Sequence, residues 1–189
     1  MKEIKLGTLA RLQLSLLPLA FAGSIGLWVI IVVLMAPVFN LPIGSALFGA
    51  VIVIGLHWFS EVVHQFGHAW AARRTGYPMT GIRFGTRAIL ATALYPPDEP
   101  ALPAKTHIRR ALGGPIFSAW LSSIAFIIIL MTFRTAAPMW EFVLWCFFLE
   151  NFFVMTLQVF IPLGFNDGAT IWHWARRQRI DNKSTDKHG

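Results

Sequence analysis

The sequence predicts an all-α membrane protein, a bundle of about four transmembrane helices with a short membrane-associated β-hairpin-like loop. Three observations carry this. Hydrophobic residues make up 56% of the 189 residues and the mean hydropathy is +0.59, whereas soluble domains are rarely so apolar throughout. Four apolar stretches reach the roughly 20 residues that a bilayer crossing needs. Basic residues collect between alternate stretches, as they do in loops on one side of a membrane.

The first stretch covers residues 12–36. It is too long for a signal-peptide core and lacks a clear small-residue cleavage site, so it reads as a retained span. The second covers 43–72, the third 111–133 and the fourth 140–165. Between the second and third, Gly76 is placed to end a helix. Residues 81–90 then show short strand-like runs around a glycine, a hairpin signal, and Pro96, Pro97, Pro100 and Pro103 stop regular structure. Residues 1–179 read as a single integral-membrane domain. Residues 180–189 are polar and are expected to be a disordered tail.

Charge orients the bundle. Lys2, Lys5 and Arg11 precede the first span, and the loop after it carries no charge. The next loop carries Arg73, Arg74, Arg83, Arg87, Lys105, Arg109 and Arg110, the following one only Arg134, and the tail Arg176, Arg177, Arg179, Lys183 and Lys187. The positive-inside rule places both termini and the long middle loop in the cytoplasm of a multi-pass protein. The net charge of +7 is therefore a topology signal, and anionic lipid headgroups are its expected partners rather than nucleic acid. Cys146 is the single cysteine, which excludes a disulfide framework and a cysteine-rich zinc site.

The chemistry lies in His64-Gln65-Phe66-Gly67-His68. Histidines four apart share one helix face, and that spacing lets two imidazoles hold one zinc ion. The metallopeptidase form of this motif is H-E-x-x-H, whose glutamate is the general base. Gln65 occupies that position here, and an amide cannot take a proton from water at ordinary pH. A third ligand is still needed. Asp167 is the candidate, because a carboxylate at the end of an apolar span marks a functional site by default. His68 precedes Arg73 by five residues and Asp167 precedes Arg176 by nine. Both half-sites thus fall at similar depth, just inside the cytoplasmic boundary. Pro162 and Gly164 are placed to break the fourth helix there, which is tolerated where backbone lines a wet cavity.

Together these pieces resemble the site-2 protease family of intramembrane zinc metalloproteases, in its minimal form. The resemblance rests on Val63 to Ala69 with Ala71, Ala72, Arg73 and Gly76, on Leu112-Gly113-Gly114-Pro115, and on residues 162–168, in order on three consecutive spans. It implies one zinc ion on His64, His68 and Asp167, with Gln65 at the catalytic position. It implies hydrolysis of a transmembrane protein or peptide substrate in what is expected to be a prokaryotic cell membrane. It also implies that an extended substrate lies along a sheet edge at Gly81, Ile82 and Phe84. Three departures stand out: Gln65 for Glu, Ser118 where the third span usually has Asn, and Val159 near another usual Asn, with Gln158 beside it. Gly113, Gly114, Pro115, Ser118 and Gln158 are accordingly read as substrate-positioning residues. Gln65 is consistent with an engineered or a natural inactive form. The alternative is a naturally non-catalytic protein that binds transmembrane helices as a chaperone or regulator. A metal transporter would want ligands near mid-membrane with access from both sides.

Other polar residues have plainer readings. Glu61 shares the face of His64 and Gln65 but lies about 6 Å further toward the bilayer centre. It reads as a cavity-lining residue, with a displaced base as the alternative. Glu150 and Asn151 are expected to face the interior, and His57 to pack there. His107, His173 and His188 lie near boundaries, and Trp28, Trp140 and Trp172 are expected to anchor at headgroup level.

Overall fold

The structure is a computed structural model and describes residues 2–185. It opens with strands β1 (Ile4–Leu9) and β2 (Leu12–Leu16), followed by helices α1 (Leu19–Val38) and α2 (Ile43–Arg74). Strands β3 (Gly81–Phe84) and β4 (Ala91–Leu94) precede α3 (Ala104–Thr132) and α4 (Pro138–Leu149). A π-helical segment (Glu150–Thr156) and a 3-10 turn (Leu157–Phe160) extend α4, and α5 (Asp167–Thr185) follows a break. Four of these segments are long and apolar enough to cross a membrane: Leu19–Val38, Ile43–Arg74, Ala104–Thr132 and Pro138–Phe160. The protein is therefore a helical membrane protein with a small sheet.

Besides the start of α3 at Ala104 rather than 111, and β4 lying just beyond the runs read at 81–90, two boundaries differ in kind from the sequence reading. The apolar run from Leu12 was read as helix, but its first residues form β2, and α1 starts only after Pro18. The turn from β1 to β2 is Ala10-Arg11, with φ of 50° and 68°. Two positive φ values define the tight hairpin turn that usually uses Asn or Gly, so this turn gave no sequence signal. Arg73 donates to the Ala10 carbonyl and ties the turn to the end of α2. The second difference is the tail. Residues 180–185 continue α5 as helix, following the strong helix formers of residues 175–179 with neither Gly nor Pro to stop them. Residues 186–189 and His188 lie outside the described residues.

The strands form one sheet in the order β1-β2-β3-β4. Its outer pairs are antiparallel, and β2 runs parallel to β3, with Leu14 opposite Ile82. Leu12, Ile82, Phe84 and Met79 pack on Ala69 and Ala72 of α2. At the other end Ile31, Ala50, Val53, Phe142 and Val143 knit α1, α2 and α4 together. α2 is central: 39% of its apolar window is buried, against 18% for α1, which leaves most of α1 to face lipid. α2 and α3 approach closely at glycines. A Cβ on Gly67 would lie 2.3 Å from the Gly113 carbonyl oxygen, and one on Gly113 would lie 2.3 Å from that of Gly67. Gly76, at φ +83°, follows the end of α2 as expected. Trp140 and Trp172 are exposed, whereas Trp28 donates to the Leu47 carbonyl at 3.2 Å.

Candidate metal centre

His64 and His68 lie on the buried face of α2, about 32 and 38 Å along the helix from Ile43. Asp167 is the first residue of α5. The three side-chain heads meet. His64 Nε2 lies 3.1 Å from Asp167 Oδ2 and 3.1 Å from His68 Nε2. His68 Nε2 lies 3.3 Å from Asp167 Oδ1. All three side chains are largely buried.

The other ring nitrogens fix what these heads are. His64 Nδ1 pairs with Ser118 Oγ at 2.9 Å, and His68 Nδ1 donates to the Arg110 carbonyl at 2.8 Å. A carbonyl can only accept, so His68 carries a proton on Nδ1, although the Gly114 N–H also lies 3.3 Å from that atom, and in the neutral imidazole its Nε2 is a bare lone pair. The same tautomer on His64, donating to Ser118, turns two lone pairs and a carboxylate toward one point. With neither a metal nor a proton between them they would repel. With one they are an ordinary ligand set: ligands of a tetrahedral zinc at about 2.0–2.1 Å stand roughly 3.3 Å apart. The donor set and its spacing fit a metal ion, and these residues form a group able to hold one.

Glycine makes the room. A Cβ on Gly114 would fall 2.4 Å from His68 Nε2 and 2.5 Å from His64 Nε2. Gly113, Gly114 and Pro115 therefore bring α3 against the ligands and are buried between helices. Ser118, fully buried, does what an outer partner of a ligating histidine does, holding the ring in place. Gln158 donates to Asp167 Oδ2 at 3.4 Å and to the Met155 carbonyl at 3.2 Å. Ser118, and Gln158 beside the departure at Val159, thus retain polar contact with the ligands.

Asp167 reaches the site through irregular backbone. The π segment ends at Thr156, the 3-10 turn ends at Phe160, and α5 starts at Asp167. Asn166 staples this break. Its Oδ1 accepts from the N–H groups of Leu163 (3.1 Å) and Ala169 (3.0 Å), and its amide donates to the carbonyls of Gln158 (3.1 Å) and Ile161 (2.7 Å). Asn166 was not singled out in the sequence, although Asn one residue ahead of a helix is a familiar start signal. A Cβ on Gly168 would lie 2.3 Å from the Gln158 carbonyl oxygen, which explains the small residue after the aspartate.

Gln65 is buried beside the ligands. Its Nε2 donates to the Ala91 carbonyl at 3.2 Å, and its Oε1 is buried with no donor among the described residues. Glu61 Oε2 accepts the Ala91 N–H at 2.8 Å and lines the cleft that also contains His64 and Asp167. His57 is fully engaged: one ring nitrogen meets Glu150 Oε1 and the other donates to the Ile89 carbonyl at 2.8 Å. Asn151 donates to Ser60 Oγ at 2.9 Å.

The sheet edge needs correcting. Gly81, Ile82 and Phe84 lie on β3, which is paired on both sides by β2 and β4. An interior strand has no free backbone to offer. Ile82 is fully buried, and Phe84 is 6% exposed in the core. The strand beside the ligands is β4, and Ala91, Thr92 and Ala93 line the cleft with Gln65, His68 and Asp167.

Arg110 was counted only as a loop charge, yet it is 4% exposed. Its guanidinium pairs with Glu99 at 2.9 Å and lies 4.3 Å over the Tyr95 ring, while its carbonyl orients His68. Hydrogen bonds from Arg110 hold the Glu99 carboxyl below its usual range. Burial pushes the Tyr95 hydroxyl up to about 12, so it stays protonated. His107 lines the same cleft and stacks on Trp174 with ring centroids 4.0 Å apart. His173 meets that Trp174 edge-on.

No protein-family model matches the sequence, and no curated protein is similar to it at the sequence level. The similarity is in three dimensions. The chain has the fold of the Site-2 Protease from Methanocaldococcus jannaschii, which it matches over 90% of its own length and 70% of that protein's, with a TM-score of 0.58 at 17% sequence identity.

Proposed function

We propose that this chain is an intramembrane zinc metallopeptidase scaffold, disabled by Gln65, whose substrate is a transmembrane protein or peptide. The observation that carries the reading is the convergence of His64 Nε2, His68 Nε2 and Asp167 within 3.1–3.3 Å, with the outer ring nitrogens held by Ser118 and Arg110. The fold likeness to a site-2 protease supports it. These three residues would hold the ion, Ser118 would fix His64 and Gln158 would fix Asp167. Bound zinc would acidify a water and polarise a scissile carbonyl.

A glutamate at position 65 would take the proton of the attacking water and pass it to the leaving amine. Gln65 keeps the size of that side chain and removes the proton transfer. The substrate would lie extended beside β4, because a helix hides the carbonyls that must be attacked, and a free sheet edge holds an extended chain by strand addition. Both termini and the segment from Arg73 to Arg110 would face the cytoplasm. Cysteines placed at Lys105 and Asn40 should then label from opposite sides of sealed vesicles, and labelling of both from one side overturns this topology.

The test of function is Gln65→Glu in reconstituted vesicles with a single-span substrate panel. Zinc-dependent cleavage that vanishes with chelator or with Asp167→Ala is the expected result. Equal cleavage by the unaltered chain would overturn the assignment of position 65 and make Glu61 the next base to test. A second reading, a non-catalytic protein that binds transmembrane segments, is favoured by one observation: the Gln65 amide is committed to the Ala91 carbonyl. A zinc-loaded Glu variant that binds but never cuts would support it.

A further inference from the structure

The outer edge of β4 is partly closed and partly open. Gly85 N–H donates to the Leu90 carbonyl at 2.9 Å, and Phe84 stands opposite Ala91. Antiparallel pairs alternate between bonded and non-bonded, so the N–H and C=O groups of Ala91 and Ala93 turn away from β3. α2 runs along that side. His57 donates to the Ile89 carbonyl at 2.8 Å, Glu61 accepts the Ala91 N–H at 2.8 Å, and Gln65 donates to the Ala91 carbonyl at 3.2 Å. Four helical residues advance about 6 Å and two strand residues about 6.8 Å. Side chains at 57, 61 and 65 therefore run alongside the strand, the last two both on Ala91, and close its edge as far as that residue. Ala93 is the next outward position. No described side chain bonds to it, and it lines the cleft that contains His68 and Asp167.

Gln65 stands at the border between the closed and open parts. It is 4% exposed. The Ala91 carbonyl fixes which end of the amide faces the strand, since only the NH2 can donate to it. That leaves Oε1 as a buried acceptor without a donor among the described residues, on a side chain that lines the cleft together with Ala93. An ionised carboxylate could not make the bond to Ala91, because two acceptors would face each other. A buried acceptor left unpaired costs about 1–3 kcal/mol, so the cleft favours a ligand that brings an N–H. A ligand with donors and acceptors in strand spacing is an extended peptide backbone.

We propose that Gln65 makes this cleft a holding site. A backbone N–H of an extended peptide donates to Gln65 Oε1, while the adjacent peptide groups pair with the N–H and C=O of Ala93. The inference rests on the reading that an extended substrate lies beside β4, and it adds the register and the role of Gln65. No covalent step is involved. It also gives the glutamine a positive function, because the side chain extends the hydrogen-bonding edge that a glutamate would interrupt.

The test uses the full chain with Cys146→Ser and Thr92→Cys, Thr92 being exposed on β4, labelled with a benzophenone maleimide. The probe is a biotinylated single-span peptide of Leu and Ala with a central Asn-Gly break, co-reconstituted in vesicles. Ile128→Cys, on the exposed face of α3, reports random lipid-phase contact. Capture at position 92 well above that at 128 is expected. Gln65→Leu should lower capture about tenfold, the size expected for one hydrogen bond and its buried partner. Ala93→Pro should lower it comparably, since it removes an outward N–H while leaving the bonds to β3. Zinc content, measured alongside, should not change in either variant. Capture unaffected by both substitutions overturns the inference, as does capture no greater at 92 than at 128. Loss of zinc together with capture in both variants also overturns it, because the effect would then run through the ligands. Failure of the peptidase reading shows elsewhere, as absent zinc in the parent chain or no cleavage by Gln65→Glu.

Discussion

Two clusters on α2 have the same ingredients and opposite characters. His57 with Glu61 and Glu150 lies about two turns before His64 with His68 and Asp167. Each combines imidazole and carboxylate in an apolar surround. In the first, every ring nitrogen is bonded, to Glu150 and to the Ile89 carbonyl, and Glu61 accepts a strand N–H. In the second, the proton-bearing nitrogens turn outward to Ser118 and Arg110, and the Nε2 atoms face each other and Asp167. Residue type does not make a metal centre. Two neutral imidazole lone pairs and a carboxylate turned on one point do.

The largest effect that separates the clusters is metal content. His64→Ala, His68→Ala or Asp167→Ala should each take zinc from one per chain to near none, by metal analysis of the purified protein. Stoichiometric zinc that survives loss of Asp167 would move the third ligand elsewhere, with Glu61 the first alternative. Next is Gln65→Glu. Cleavage of a membrane substrate should rise by roughly 10²–10⁴-fold, the range of general acid-base catalysis, read as initial rate against the unaltered chain.

His57→Leu should do the reverse of the ligand substitutions. Removing one partner of a buried ion pair costs about 3–5 kcal/mol, so thermal unfolding in detergent should fall sharply while zinc content stays at one per chain. Zinc lost with His57 would mean that the two clusters act as one. Ser118→Ala should be the mildest. Outer partners of ligating histidines contribute about 10–100-fold to metal affinity, so chelator competition should show weaker zinc with little change in unfolding temperature. A change smaller than twofold would mean that Ser118 does not orient His64.

Much of the site was legible because its spacing is local. Four residues of helix place His64 above His68 whatever surrounds them, and a span of apolar residues announces itself by length. The break at Pro162 and Gly164 was legible for the same reason, since proline and glycine act on their own backbone. The hairpin was legible in part: Gly81 to Phe84 was recognised, but β3 proved to be an interior strand because the N-terminal residues pair with it. Nothing in Leu12 to Leu16 could reveal that, since a short apolar run reads equally as strand or helix, and its turn at Ala10 and Arg11 lacks the residues that usually mark one.

The sequence by itself determined the membrane class, the order of the spans and the pair of histidines on one helix face, because hydropathy and helical period are properties of neighbouring residues. Only the tertiary structure decided that the expected carboxylate, Asp167, does meet them, that Ser118 and the Arg110 carbonyl hold their rings, that Gly114 must have no side chain, and that Gln65 is bonded to β4. Those depend on backbone approaching across 26 to 103 residues of chain. Such approaches follow from helix packing and strand pairing between distant segments, and no local pattern encodes them.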